Sequence, residues 1–86
     1  MSTTNIDSLV RVGMNAEQAK LVGALIDAPG TAAANAQKLI GFGFTAPLAT
    51  ELGTQMNGGT GDVAKLAALG VPHALATLLK TLIDAP

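Results

Sequence analysis

Apolar residues recur along this chain at helical spacing, in three blocks that share one layout. Leu9 to Pro29 reads LVRVGMNAEQAKLVGALIDAP, Leu39 to Gly59 reads LIGFGFTAPLATELGTQMNGG, and Leu66 to Pro86 reads LAALGVPHALATLLKTLIDAP. Aligned without gaps, they put Leu9, Leu39 and Leu66 in one column and Gly13, Gly43 and Gly70 in another. Ala19, Ala49 and Ala76 form a third, and Asp27, Asn57 and Asp84 a fourth. The corner glycines are 30 and then 27 residues apart, which marks a real but imperfect internal repeat.

Each block predicts a short helix, a glycine corner and a longer helix. Met1 to Thr3 is expected to be loose. Thr4 should cap the first helix, with Asp7 as its capping-box partner. That helix should run over about 5–12 and stop at Gly13, where a residue without Cβ takes the left-handed conformation at little cost. Met14 can then fold back on the preceding turn. Asn15 caps the next helix, with Gln18 placed to close a box. Ala19, Val22, Leu25 and Ile26 fall on one face, and Asp27-Ala28-Pro29-Gly30 ends the unit.

In the second block, Thr31 caps an alanine-rich helix that should be longer than its counterpart in the first. Gly43 is the corner, Phe44 folds back, Thr45 is the next cap, and Pro47 is acceptable in the first turn. Leu48, Leu52 and Met56 make the stripe, and Asn57-Gly58-Gly59 breaks it. Thr60 or Asp62 caps the third block. Val63, Leu66, Ala67 and Leu69 lead to Gly70, with Pro72 at about the first helical position. Leu75, Leu78, Leu79, Leu82 and Ile83 give the strongest stripe in the chain. Nothing alternates with period 2 for long enough to predict a strand.

The expected fold is all-α: three tandem helix–glycine corner–helix repeats, about six helices, packed as a small bundle or short solenoid. Residues 1–86 form one domain, with repeats at about 4–29, 31–59 and 60–86. One corner cannot cover both of its stripes, so the copies should lean on one another. In a stack, Leu78, Leu79, Leu82 and Ile83 cannot all point inward at the terminal copy. That surplus predicts a partner or self-association; the plainer reading makes all of it internal core.

Composition narrows the function. Apolar residues are 49% of the chain, much of it alanine, with two Phe and no Tyr or Trp. Net charge is −1, and no basic block exists. Nucleic-acid binding lacks both its electrostatic and its stacking component. Cysteine is absent, which excludes disulfides and thiolate metal sites. The start of the chain has no basic n-region, and no run of 18 apolar residues occurs, so neither a signal peptide nor a membrane span is expected. A soluble intracellular product is the default.

No catalytic constellation emerges. His73 is the only histidine and has no ligand set at metal spacing. Ser2 and Ser8 lie outside any nucleophile elbow, and Glu17 and Glu51 are isolated acids. Asp27 and Asp84 read as turn residues. GFGFTAPL does not match a dinucleotide fingerprint, and NGGTGDVAK lacks the phosphate-loop spacing. Lys20, Lys38, Lys65, Lys80 and Arg11 read as charges on solvated faces. No enzyme activity, cofactor, metal or small-molecule substrate is assigned.

Two family resemblances arise at the corner residues. The pattern of Leu39, Gly43, Phe44, Ala49 and Leu52 is similar to the first two helices of ubiquitin-associated (UBA-like) domains. In those domains a Met-Gly-Phe or similar corner contacts the partner. Here Val12-Gly13-Met14, Phe42-Gly43-Phe44 and Leu69-Gly70-Val71 occupy that place. A UBA-like domain also has a third helix and is not three tandem corners. The stretch from Leu9 to Pro86 resembles small tailed-bacteriophage virion proteins, rich in alanine, glycine and threonine. They carry units like KLAALGVPHALATLLKTLI and GFTAPLATELGTQMNGGTGDV. That resemblance implies a subunit of the virion, found in host cytoplasm during assembly, that decorates or cements the capsid or attaches to the tail. Its partners would be other virion proteins or itself. The adaptor alternative would grip a partner helix or peptide. Partner-contact candidates are Met14, Phe42, Phe44 and Val71 at the corners, with Leu78 and Leu82 on the last helix.

Overall fold

The computed structural model describes residues 3–85. Six helices follow in order: α1 (Thr3–Arg11), α2 (Ala16–Asp27), α3 (Ala32–Gly41), α4 (Ala46–Gly58), α5 (Val63–Ala68) and α6 (His73–Asp84). No strand occurs among the described residues. The protein is a small all-α bundle of three helix pairs.

All three corners use the same stop. Gly13, Gly43 and Gly70 have φ of 106°, 97° and 94°, values that L side chains rarely adopt. Their N–H groups donate to Val10, Ile40 and Ala67 carbonyls, each at 3.0 Å. The next residue donates five back: Met14 to Leu9 at 3.0 Å, Phe44 to Leu39 and Val71 to Leu66 at 3.1 Å each. This is the Schellman arrangement, and it turns the following side chain back onto the helix it has just left.

Helix starts are capped mostly where expected. Asn15 Oδ1 accepts from the Glu17 and Gln18 N–H groups, Thr31 Oγ1 from Ala34, and Asp62 Oδ1 from Lys65. Three expectations shift. Helix α1 already includes Thr3 and Thr4, so Thr4 is not the cap; Met1 and Ser2 lie outside the described residues. Pro72 is the residue before α6 rather than its first. Gln18 does not close a box, because its Nε2 donates to the Phe42 carbonyl at 2.9 Å and ties the first pair to the second corner.

The repeat columns form the core. Leu9, Leu39 and Leu66 have no exposed surface, nor do Ala19, Ala49 and Ala76. Val22, Leu52 and Leu79, thirteen residues after the column leucines, are buried as well. Within each pair the helices cross closely, and a glycine lets them. A Cβ on Gly53 would stand 2.9 Å from the Ala32 carbonyl oxygen, and one on Gly23 3.1 Å from Ile6 Cγ1. Lys80 occupies the same column in the third pair, and there the notch passes to the other strand of chain, at Gly61.

The pairs do not stack in a row. Helix α2 packs on α3, α4 on α5, and α6 returns to α1, closing a ring with extents of 26, 25 and 25 Å. This corrects the expected apolar surplus on the last helix. Leu79 and Ile83 are buried, and Leu78 and Leu82 are half-buried against the core, because α1 covers the face that an open stack would expose.

Polar side chains tie the ends of each pair. Asn5 Nδ2 donates to Asp27 Oδ1 at 3.4 Å, Asn57 Nδ2 to the Gly30 carbonyl at 3.1 Å, and the Gly61 N–H to Asp84 Oδ1 at 2.7 Å. The column of Asp27, Asn57 and Asp84 is therefore a set of latches across the pairs, more than the turn residues expected. Lys80, expected on a solvated face, is half-buried and joins this latch, donating to Asp84 Oδ2 at 2.6 Å and to the Gly61 carbonyl at 3.3 Å. Asn35 and Gln55 are buried polar residues that the sequence pattern does not reveal.

Candidate functional site

Because the ring is closed, the three glycine corners converge at one end of the molecule. They surround an open depression of about 470 Å³ lined by equivalent positions of all three repeats. Met14, Phe44 and Val71 come from one repeat column, and Gln18, Leu48 and Leu75 from another. Asn15, Thr45 and Pro72 come from a third. Met14 and Val71 are buried in its floor, while Phe44, Leu48 and Leu75 are half-buried walls. No charged residue lines it.

The apolar surface continues outward. Among the described residues the exposed large apolar ones are Val10, Val12, Ile40, Phe42 and Leu69, each at a corner or in the last turn of the helix before it. Val12, Phe42 and Leu69 again share one column, with Phe42 the largest at 46% exposed. Val12 and Leu69 line the depression, whereas Phe42 stands beside it. Their exposure follows from the Schellman stop, which directs the residue after the glycine inward and leaves the residue before it facing solvent.

Of the contact candidates drawn from sequence, Met14, Phe44 and Val71 meet in the depression, and Phe42 projects from the same end. Leu78 and Leu82 do not line it; they pack on the core from α6. Val12, Leu69, Leu48 and Leu75 belong to the site and were not among the candidates. The repeat register could have found Val12 and Leu69, which share a column with Phe42; Leu48 and Leu75 share theirs with Gln18, which the register did not single out.

The lining is uncharged and mainly apolar, with Asn15, Gln18 and Thr45 as its polar members. It carries no carboxylate, imidazole or amine that could move a proton. No group of three or more metal-ligating side chains converges among the described residues, and none of their helices is long and apolar enough to cross a membrane. Asp84 lies away from the depression, at the other end of α6. The Gly61 N–H first and then the Lys80 ammonium hold its carboxyl below the usual value. Comparison with protein-family models, curated proteins and solved structures returned no match to this chain.

Proposed function

We propose that this chain is a non-enzymatic structural subunit of a bacteriophage particle, a capsid-decorating or cementing protein that docks through its corner face. The observation that carries the docking is that exposed Val12 and Leu69 line one uncharged depression, with exposed Phe42 beside it, while the helix stripes are covered. The assignment to a virion rests on the resemblance of the Leu9 to Pro86 repeat to small phage virion proteins. Many copies on a repeating lattice make a modest apolar contact effective.

The test is direct. Particles purified through a density gradient should contain an 8.6 kDa chain in stoichiometric amount. A Phe42→Asp chain, which keeps its fold because Phe42 is exposed, should be missing from them. Particles without the wild-type chain, or with the variant at full occupancy, would refute the reading.

A second reading, a UBA-like adaptor, is favoured by the exposed aromatic immediately before Gly43. It predicts a soluble partner helix or peptide whose binding Phe42→Asp abolishes. Phe44 is the poorer probe, since it packs against the core and its loss would also unsettle the fold.

A further inference from the structure

We infer that the corner face is also a self-association surface: two copies meet face to face about a twofold axis, each placing its Phe42 in the other's depression. The inference rests on reading this face as an interface, and it names a second copy as the occupant. Three observations carry it.

The face is self-complementary. A twofold contact requires one patch to hold both a projection and the recess that receives it. Phe42 projects beside the depression without lining it, and the depression is apolar and large enough to accept an aromatic ring.

The area suffices. The molecule exposes 4555 Å² and is nearly isotropic, so one of six faces offers about 760 Å² per copy. That is close to the roughly 800 Å² per partner of a standard stable interface.

The charges permit it. The depression has no charged lining, and the chain carries only −1, so like faces meet without strong repulsion. Arg11 and Glu17 flank the first corner, but their columns hold Gly41 and Pro47 at the second and Ala68 and Ala74 at the third. The charge at the corner that bears Phe42 is Lys38, in the last turn of α3; it is exposed, and its long stem can keep the ammonium in water while Phe42 enters the partner's recess.

The experiment is sedimentation velocity on the full chain from about 1 μM to about 1 mM. The mass should rise from 8.6 kDa and level at twice that value. Phe42→Ser and Leu69→Ser should each weaken the dimer about tenfold or more, with helicity and the melting of the monomer, read at about 1 μM, unchanged because both residues are exposed. Thr54→Ser, on the exposed flank of α4, should leave the dimer as it is. A monomer at every concentration overturns the inference, as does a plateau above twice the monomer mass. A dimer indifferent to both serine variants overturns it too. A monomeric chain that still enters particles through Phe42 would sink self-association and leave the docking function standing. A Phe42-dependent dimer absent from particles would do the reverse.

Discussion

The backbone of Lys80 passes so close to Gly61 that a Cβ on the glycine would stand 2.5 Å from the Lys80 Cα. The contact is backbone on backbone, so no side-chain rotation can relieve it. Gly61→Ala should therefore cost about 1–3 kcal/mol through forced separation of α6 from the segment entering α5. Gly41 offers the opposite sign. It ends α3, has no atom near its missing Cβ and does not have positive φ. Gly41→Ala should stabilise by about 0.4–1 kcal/mol, chiefly by restricting the unfolded chain. Urea titrations of both variants check the pair; a shared sign would contradict the packing.

Asp84 links the same contact to pH. Its carboxyl is held below the ordinary 3.8 by the Gly61 N–H first and the Lys80 ammonium second, with partial desolvation opposing. A lowered folded-state value means the folded chain binds fewer protons than the unfolded one in acid. The stabilisation is thus present above the unfolded value and lost as pH falls through the folded one. Melting temperature should drop below about pH 4, and Asp84→Asn should flatten that drop while lowering the neutral plateau. The Lys80–Asp84 side chains are 44% and 37% exposed, so added salt should remove only the smaller, ionic part. A variant with the parent's acid slope would show that other carboxylates carry it.

Asn35 makes the reverse prediction. It is almost fully buried between α3 and α4. Its Oδ1 accepts from the Gly30 N–H at 2.9 Å, and its Nδ2 donates to the Gly30 and Gly53 carbonyls at 3.2 Å each. Asn35→Leu should cost about 1–3 kcal/mol through the loss of these three hydrogen bonds together. Asn35→Asp keeps the acceptor but turns a carboxylate toward two carbonyl oxygens. That variant should be weakest near neutrality and recover on acidification, as the protonated group regains a donor. Melting curves from pH 3 to pH 7 would distinguish this rise from the parent's fall.

The helices and corners were legible because their determinants are local. Gly13, Gly43 and Gly70 fix the stops through backbone conformation, and Leu9, Leu39 and Leu66 fall at helical spacing beside them. What the pattern left open was how the pairs meet. Leu78 and Leu82 looked surplus because nothing in their own neighbourhood says that α1, some seventy residues away, covers α6. Asn35 was hidden for a similar reason. A polar residue in an alanine-rich helix reads as solvent-facing until Gly30 and Gly53 are seen to enclose it. Part of the depression's lining was readable, since Met14, Phe44 and Val71 follow the glycines directly. The depression between them exists only once the ring has closed.

Ring closure can itself be tested by changing where the chain is cut. Four residues join α2 to α3 (28–31), and four join α4 to α5 (59–62). If the third junction is equivalent, residues 85, 86, 1 and 2 fused directly would supply a joint of the same length between α6 and α1. New ends opened between Ala28 and Pro29 fall at exposed positions. This cut spares the α2 cap, whose Ala28 N–H donates to Ala24, and the bonds between Gly30 and Asn35. Chain cuts at exposed joints with intact hydrogen bonding are the kind that folds tolerate. The permuted chain should match the parent in helicity and melt within a few degrees of it, because closing one short joint and opening another changes loop entropy little. In an open stack the fused joint would have to span the length of the molecule, at 25 Å or so, farther than the roughly 18 Å that four residues bridge when fully stretched. Such a chain would lose its cooperative melt, and that result would refute the ring.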